Sequence, residues 1–375
     1  MKVLFVQNIE GIAGSEKYFW QLLPALKSAN VEVEFLCVHK KKFEAVSIEF
    51  AQQLKDKNIV VHFIETVSYT SPFLLFKIRS LIKKGKFDLL HSHLIYADFW
   101  SAILKSFFRL NITTVTTLHG YQEDIYTKFC LEPKSVPVNR YYKTARFCYK
   151  RIDNVYACSE GLKNFFDQIN IRTKKPIEVI HHGFDYPELN IKPNETNQFI
   201  CAIIGRLIPR KGHEFVLKNC KRLVKEIPGF HLMIVGDGPL RESMQEYIRI
   251  QKLEDSITFT GEVDDARIFM AQSEIVLVPS FAEGLPLVIF EAMSVSKPVI
   301  AFDTIGPSEV VLNNETGYLI EPFNDNLFCD KIILLSKDKD RRIEMGKKAK
   351  KTVKEKFSLA KMTAETIRFY QISLK

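Results

Sequence analysis

The chain alternates short apolar runs with longer stretches in which apolar residues recur at helical spacing. Strands that are buried on both faces of a parallel sheet read as continuous apolar runs, and parallel strands need crossovers between them. The pattern therefore predicts an α/β protein with one parallel sheet in each half of the chain. The predicted strands are Lys2–Gln7, Glu32–Val38, Val60–Ile64, Leu89–His93, Thr113–Leu118, Asn154–Ala157 and Glu178–His181, then Phe199–Gly205, His231–Val235, Ile257–Phe259, Ile275–Val278, Pro298–Ala301 and Gly317–Ile320.

A polar segment with two prolines, residues 187–197, interrupts this alternation. Polar, proline-containing segments are typical of domain boundaries, and a length of 375 residues suits two domains. We therefore expect a first Rossmann-like domain over residues 1–190 and a second over residues 191–355. A C-terminal helix over residues 356–375 is expected to pack back toward the first domain.

The charge is unevenly distributed between the two halves. Of the formal net charge of +9, residues 1–190 carry +7. A basic half indicates an acidic partner, which could be phosphate, anionic lipid or nucleic acid. Residues 72–86 have the pattern of a basic amphipathic helix, and Arg140, Lys143, Arg146, Lys150 and Arg151 form a second basic stripe. Such patterns are typical of helices that lie on anionic membranes, although a core-facing helix with solvated lysines has the same pattern.

No apolar run approaches the roughly 18 residues that span a bilayer. We therefore expect a cytoplasmic protein that associates peripherally with the inner face of the cell membrane. The seven cysteines are scattered without a CxxC pair, so they indicate no zinc site. His91 and His93 share one strand face, but no third ligand is near, so a packed or acceptor-site role is favoured over a metal.

Three glycine-containing segments follow predicted strands, where ligands of open parallel sheets bind. Gly14 precedes a helix whose N-terminus could present backbone N–H groups to an anion. Gly205 ends a strand, and Arg206 and Lys211 follow it as two cations suited to a diphosphate. Gly238 lies in a third such turn, in which a structural use is as well supported as contact with a ligand.

The segment from Glu283 to Glu291 has the densest candidate chemistry. If Pro286 begins a helix, Gly284, Leu285 and Leu287 lie at its N-terminus with N–H donors that suit sugar hydroxyls or a phosphate. Glu283 then precedes the helix and Glu291 lies about one turn inside it, so both carboxylates can face one pocket. Paired carboxylates also occur in glycoside hydrolases, and two glutamates alone can simply cap a helix.

Taken together, these segments resemble the family 4 retaining glycosyltransferases of the GT-B fold, over essentially the whole chain. The matching motifs, in order, are Gly14, Leu90-His91-Ser92-His93, Thr117-Leu118-His119-Gly120, Ser159-Glu160, His182-Gly183-Phe184-Asp185, Gly205-Arg206 with Lys211-Gly212, Gly236-Asp237-Gly238-Pro239, Phe259-Thr260-Gly261 and the Glu283-to-Glu291 signature. One departure is the turn Ala13-Gly14-Ser15-Glu16, where the family usually has Gly-Gly-Ala-Glu.

The resemblance implies two facing Rossmann-like domains with a cleft between them, in which residues 1–190 would bind the acceptor and residues 191–355 would bind the donor. It also implies a role for each motif. Gly14 would approach the donor diphosphate, and His119 would lie beside the transferred sugar. Arg206 and Lys211 would neutralise the developing diphosphate charge. Glu283 would bind the donor sugar together with the backbone of residues 284–287, and Glu291 would bind the ribose. The departure of the leaving group would need neither a metal nor another cofactor.

The resemblance further implies a retaining transfer from a UDP- or GDP-sugar to a glycan or lipid-linked glycan. The residue composition indicates an AT-rich bacterial gene, and with it synthesis of a capsule, an exopolysaccharide or a lipopolysaccharide. The alternative is a basic nucleic-acid-binding α/β protein without transferase activity. That alternative leaves Glu283 and Glu291 unexplained, because carboxylates repel a phosphate backbone, so we expect no nucleic-acid partner.

Overall fold

The structure is a computed structural model that describes residues 1–12, 14–121, 139–189 and 198–375. The described residues form two compact units. Unit 1 contains the described residues up to 121 together with 139–185 and 357–375, and unit 2 contains 186–189 and 198–356. Residues 190–197 of the predicted break, and Ala13 of the glycine turn, lie outside the described residues.

Unit 1 contains a parallel sheet whose strands are connected by helices. Its strands are β1 (Lys2–Asn8), β2 (Glu32–His39), β3 (Val60–Glu65), β4 (Leu89–His93), β5 (Thr113–Leu118), β6 (Asn154–Ala157) and β7 (Glu178–Val179). Its helices are α1 (Gly14–Ser28), α2 (Glu44–Lys55), α3 (Pro72–Gly85), α4 (Leu94–Ser106), α5 (Arg140–Tyr149), α6 (Glu160–Gln168) and α14 (Leu359–Ser373). The seven strands are ordered β3-β2-β1-β4-β5-β6-β7.

Unit 2 repeats this arrangement. Its strands are β8 (Phe199–Ile204), β9 (Phe230–Val235), β10 (Ile257–Gly261), β11 (Ile275–Val278), β12 (Val299–Phe302) and β13 (Gly317–Ile320). Its helices are α7 (His213–Glu226), α8 (Arg241–Gln251), α9 (Arg267–Gln272), α10 (Leu287–Ser294), α11 (Pro307–Val310), α12 (Asp325–Lys337) and α13 (Lys339–Lys356). The six parallel strands are ordered β10-β9-β8-β11-β12-β13. Every predicted strand is present, and the predicted α/β fold with two Rossmann-like domains is confirmed.

The first strand shows why the apolar runs are continuous. Val3 and Phe5 of β1 belong to a core cluster on one face of the sheet, which α1 and α14 complete. Leu4 and Val6 belong to a second cluster on the other face, with residues of α3 and α4. Because the sheet is covered on both faces, successive residues of a central strand are all buried, and the strand loses the apolar–polar alternation of a half-exposed sheet.

Helix α3 is amphipathic, as its sequence predicts. Leu74, Ile78 and Ile82 are buried against unit 1, whereas Phe73 and Phe76 are 78% and 55% exposed. The helix therefore has an outer face that carries aromatic side chains. Within the part of the chain that the structure describes, no helix combines the length and the apolar character that crossing a membrane requires.

Candidate active site

In each sheet the strand order reverses at one point. In unit 1, β1 lies between β2 and β4, and in unit 2, β8 lies between β9 and β11. The connections on the two sides of such a point leave in opposite directions, so a crevice opens at the carboxyl ends of the strands. The predicted site residues follow these strand ends. We call His91, His93, His119 and His182 of unit 1 the histidine site, and Arg206, Lys211, Glu283 and Glu291 of unit 2 the ion-pair site.

The histidine site is built on two neighbouring strands. His93 ends β4 and His119 follows β5, and the His93 Nδ1 atom lies 2.7 Å from the His119 Nε2 atom. On the same face of β4, the two ring nitrogens of His91 lie 2.6 Å from the Tyr370 hydroxyl and 2.8 Å from the Thr117 hydroxyl. His91 is therefore held by packing and hydrogen bonds, while His93 contacts the histidine that the sequence singled out.

The histidine site provides hydrogen-bonding groups without charge. Burial lowers the pKa of His119 to about 3, and burial together with neighbouring histidines lowers the pKa of His93 and His182 well below the usual value. The nitrogens that face each other share one proton, so His119 keeps its Nδ1 atom for another partner. Among the described residues, the His119 Nδ1 and His93 Nε2 atoms have no hydrogen-bond partner. The pair can therefore bind a neutral polar group.

Gly14 is the first residue of α1, as the glycine turn predicts. The sequence did not indicate that the same helical turn contains a buried carboxylate. Glu16 is 4% exposed and accepts hydrogen bonds from the side chains of Gln7 and Ser15, the latter at 3.0 Å. A negative side chain is favourable at a helix N-terminus. A phosphate that approached Gly14 would therefore meet the charge of Glu16.

The ion-pair site takes its name from a contact between two distant segments. The Lys211 ammonium lies 2.5 Å from a Glu283 carboxylate oxygen, and the side chains are 18% and 11% exposed. Burial acts to raise the pKa of Glu283, but the charges of Lys211 and Arg210 outweigh it and hold the pKa below the usual value. Glu283 is consequently ionised at neutral pH and is available to accept hydrogen bonds.

Arg206 differs from Lys211 because its charge is uncompensated. Its side chain is exposed, and none of the described acidic residues forms an ion pair with it. The loop that carries Arg206 is fixed by backbone bonds from Leu207 N–H to the Asp237 carbonyl at 2.9 Å and from Leu240 N–H to the Leu207 carbonyl at 3.1 Å. The guanidinium is therefore a free cation on an ordered loop at the carboxyl end of β8.

The glycines of these loops permit close approach between backbones. Gly205 has a φ of +143°, and its carbonyl oxygen would lie 2.3 Å from a Cβ added to Gly236. A Cβ on Gly238 would lie 2.7 Å from the Leu207 backbone, and the Gly238 N–H donates to the Asp237 carboxylate at 2.7 Å. These contacts give Gly238 a structural use, which is one of the two roles that its sequence context allowed.

The segment before α10 has the predicted exposed donors, with one correction. Pro286 is the N-cap residue, and the helix begins at Leu287, one residue later than predicted. Pro286 keeps an extended backbone conformation there, with a φ of −76° and a ψ of 115°. Within the described residues, the backbone N–H groups of Gly284, Leu285 and Leu287 donate no hydrogen bond outside their own helix. They are available to ligand oxygens, as the first N–H groups of a helix generally are.

Glu291 lies one turn inside α10 and is 9% exposed. Sequence reasoning missed the residues around it. Burial raises the pKa of the Tyr186 hydroxyl well above its usual value, and the Glu291 carboxylate raises it further. The guanidinium of Arg267 lies 5.1 Å from the Tyr186 ring centre and is paired with Asp265 at 2.6 Å. No local motif marks Tyr186, Asp265 or Arg267, because their importance comes from their position beside Glu291.

In the described ranges, no group of three or more histidine, cysteine, aspartate or glutamate residues could hold a metal ion. The chain has an Asp-x-Asp spacing at Asp338 and Asp340. Asp338 precedes α13, and its carboxylate accepts a hydrogen bond from the Arg341 N–H at 2.9 Å. That geometry is a helix cap.

Two family models match adjoining parts of the chain. Residues 12–186 match the model described as Glycosyltransferase Family 4, and residues 187–352 match the model described as Glycosyl transferases group 1. The boundary between the two matches falls beside the boundary between the two units.

Similar proteins extend over almost the full chain. The N-acetyl-alpha-D-glucosaminyl L-malate synthase of Bacillus anthracis is 26% identical over 87% of this chain and 87% of its own length. The UDP-Gal:alpha-D-GlcNAc-diphosphoundecaprenol alpha-1,3-galactosyltransferase of Escherichia coli is 22% identical over 96% and 94%. The Anabaena protein Alr3699/HepE in complex with UDP-glucose superimposes with a TM-score of 0.80 at 20% identity, over 99% of this chain and 100% of that chain. The structural likeness supports the fold.

Proposed function

This chain belongs to the family 4 glycosyltransferases, and on that premise we propose that it transfers a sugar from a UDP- or GDP-sugar to a glycan or lipid-linked glycan acceptor. We propose that the anomeric configuration is retained and that no metal or other cofactor takes part. The pathway is the assembly of a bacterial surface polysaccharide such as a capsule, an exopolysaccharide or a lipopolysaccharide. The names of the relatives favour a UDP-sugar as the donor.

The observation that carries this proposal is the composition of the ion-pair site. A nucleotide sugar has a ribose, a diphosphate and a hexose, and its bond to the leaving group breaks with negative charge developing on the diphosphate. The exposed Arg206 provides an uncompensated cation for that charge, while Lys211 provides a second cation that Glu283 holds in place. The free N–H groups before α10 and the Glu283 carboxylate suit sugar hydroxyls, and Glu291 suits the ribose hydroxyls.

We assign His119 to the transferred sugar, because its Nδ1 atom is free and its ring is neutral. A neutral imidazole can hydrogen-bond a sugar hydroxyl without adding positive charge beside a sugar that becomes oxocarbenium-like. We also assign Gly14 to donor binding, although the negative charge of Glu16 in the same helical turn opposes the approach of a phosphate.

A thermal-shift screen tests the donor assignment. The purified protein is heated with UDP-, GDP-, ADP- and CMP-sugars and, separately, with a single-stranded oligonucleotide. A ligand at about 100 times its dissociation constant adds roughly 2.7 kcal/mol of stability, which is measurable. We expect a selective rise in Tm with one base, loss of that rise in Glu291→Ala, and an unchanged rise in Glu246→Ala, which removes an exposed glutamate of α8. A rise with the oligonucleotide alone would favour the nucleic-acid-binding alternative instead.

The mechanism is tested on the product. Proton NMR of the first product formed gives the anomeric configuration, and we expect it to match that of the donor sugar. Turnover in the presence of EDTA should equal turnover without it. A product with inverted configuration would contradict the retaining mechanism. A loss of turnover in EDTA that added Mg²⁺ or Mn²⁺ restores would contradict the proposal that no metal takes part.

The outer face of α3 supports peripheral association with a membrane. Phe73 and Phe76 project from it, and the exposed Lys77, Lys83 and Lys84 lie on the same helix. Exposed aromatic and basic side chains suit the interface of a bilayer that contains anionic lipids. The second basic stripe is less available, since Arg146 donates to the Ile169 carbonyl and Arg151 donates to the Phe147 carbonyl.

Cosedimentation with vesicles tests this association. We expect the protein to bind phosphatidylglycerol vesicles and not phosphatidylcholine vesicles. The Phe73→Ser/Phe76→Ser double variant should lose binding, whereas Ile250→Ser, which replaces an exposed apolar residue of α8, should bind normally. Equal binding by the double variant and the native protein would contradict the assignment of this face.

A further inference from the structure

The mechanism above uses the carboxyl ends of β4 and β5 in unit 1, but the neighbouring end of β1, β2 and β3 contains further polar and aromatic groups. Tyr69 follows β3, Lys40 follows β2, and Asn8 and Glu10 lie at and just beyond the end of β1. Tyr96 lies in the first turn of α4, directly after β4. All these strands are parallel in one sheet, so their carboxyl ends meet at the same edge as His93 and His119.

Tyr69 is the centre of this group. Its ring centre lies 4.9 Å from that of Tyr96 and 4.7 Å from the Lys40 ammonium. The indole N–H of the buried Trp100 donates to the Tyr69 carbonyl at 2.6 Å, which fixes the backbone of the loop. Burial raises the pKa of the Tyr69 hydroxyl, and the nearby Glu10 carboxylate raises it further. The hydroxyl and the carboxylate are therefore close neighbours.

One polar atom of the group has no partner. The Asn8 side-chain carbonyl is buried, in a residue that is 8% exposed, and forms no hydrogen bond with the described residues. The Tyr69 hydroxyl belongs to a residue that is 3% exposed, and its close polar neighbours are the Glu10 carboxylate, the Asn8 side chain and the Lys40 backbone. A buried polar group without a partner costs about 1–3 kcal/mol, so such groups usually mark a bound water, an ion or a ligand. The Lys40 ammonium lies over the Tyr69 ring at the end of a flexible side chain, so its position can change.

Tyr96 provides an exposed aromatic surface at the rim of the group. It is 41% exposed, although its ring packs against the well-buried Tyr69. A sugar has an apolar C–H face and a polar hydroxyl edge, and this group offers an aromatic ring for the first and a carboxylate, an amide carbonyl and a phenol hydroxyl for the second. The ring covers the apolar C–H face, and the oxygens accept or donate hydrogen bonds at the hydroxyl edge.

We propose that Tyr96, Tyr69, Glu10 and Asn8 form a carbohydrate subsite that binds the terminal sugar of the acceptor. In it the sugar ring stacks on Tyr96, its hydroxyls bond the Glu10 carboxylate, and the displacement of Lys40 lets them reach the Tyr69 hydroxyl and the Asn8 carbonyl. The subsite deepens the proposed transferase function and rests on it for the identity of the ligand as an acceptor.

Saturation-transfer NMR with simple glycosides tests this subsite directly. The probes are methyl α-glucoside, methyl α-galactoside and methyl N-acetyl-α-glucosaminide at millimolar concentration, with glycerol as a polyol that has no ring. We expect one glycoside to bind the native protein in the presence of UDP. Tyr96→Ala should weaken that binding at least about tenfold, because it removes the stacking surface, and Tyr69→Phe should weaken it about threefold by removing one hydrogen bond.

The matched control is Phe107→Ala, which truncates a 68% exposed aromatic residue at the opposite end of α4 and should leave glycoside binding unchanged. UDP affinity, measured on the same samples, should be the same in all variants and should fall only in Glu291→Ala. The subsite is overturned if no glycoside binds the native protein better than glycerol, or if Tyr96→Ala and Tyr69→Phe bind normally. A protein that binds glycosides but no nucleotide would instead overturn the donor assignment.

Discussion

The first six strands of unit 1 have the same order as the six strands of unit 2, but the two units differ in the polar groups that they place at the carboxyl edge of the sheet. In unit 1 the ends of β4 and β5 hold neutral, buried groups: His93 Nδ1 and His119 Nε2 lie 2.7 Å apart and share one proton, and burial keeps both rings uncharged. In unit 2 the same edge holds charges, with Lys211 paired to Glu283 at 2.5 Å and Arg206 exposed without a partner.

Under the proposed function, this difference divides two kinds of ligand between the two units. A diphosphate needs cations, because its charge must be compensated as the leaving group departs. A sugar hydroxyl needs directed hydrogen bonds, which neutral groups such as an imidazole can form. The following predictions test whether the two edges are divided in this way, beginning with the largest expected effect.

Arg206→Ala should lower kcat by about 100- to 1000-fold, which corresponds to roughly 3–4 kcal/mol of lost transition-state stabilisation. The reason is that Arg206 is the uncompensated cation of the ion-pair site. Steady-state transfer assays measure the effect, and Tm should be unchanged because the side chain is exposed. Arg249→Ala, which removes a surface arginine of α8, serves as the control. A near-normal kcat in Arg206→Ala would contradict the proposal that Arg206 stabilises the leaving group.

Lys211→Met should destabilise unit 2 by about 3 kcal/mol, because it leaves the carboxylate of Glu283 buried without its partner. Adding Glu283→Gln should restore most of the stability without restoring turnover. Both tryptophans, Trp20 and Trp100, lie in unit 1, so hydrogen exchange of unit 2 amides is the suitable measurement. Equal stability of the single and double variants would show that the ion pair does not hold Glu283 in its charged form.

His93→Phe should lower kcat about tenfold, roughly 1.4 kcal/mol, while UDP affinity stays unchanged. His93 acts here as a positioning residue, since its Nδ1 atom fixes the ring and the tautomer of His119. His93→Asn keeps a polar group at this place and should recover part of the loss. His62→Phe, at a histidine on β3 of the same unit, is the control. A parallel loss of kcat and UDP affinity would indicate a general distortion of the site instead.

The smallest expected effect is on the pH dependence of stability. Burial lowers the pKa of His182 in the folded state, so below about pH 6.5 the unfolded chain binds the extra proton and stability falls as the pH falls. His182→Phe should flatten this slope by up to about 1.4 kcal/mol per pH unit. Urea unfolding between pH 7 and pH 5, followed by tryptophan fluorescence, reports on unit 1. An unchanged slope would mean that His182 is not buried in its neutral form.

Much of the fold was predictable because its signals are local. Central strands such as β1 were marked by a continuous apolar run, here Val3–Val6, and burial on both faces explains that run. The start of α10 was placed one residue too early, because Pro286 suits both the N-cap and the first helical position, and only the backbone conformation distinguishes them. The motif from Glu283 to Glu291 indicated its candidate residues because they lie within one short segment.

The sequence by itself determined which segments form strands, where their ends lie, and which residue types stand at those ends. Only the tertiary structure decided which of them meet. Lys211 and Glu283 are 72 positions apart, and His93 and His119 are 26 apart. The physical reason is that strand order and register bring distant strand ends to one edge of a sheet, and no local pattern encodes the neighbour that a side chain finds there. The contact of Tyr69 with Tyr96 across two loops has the same origin.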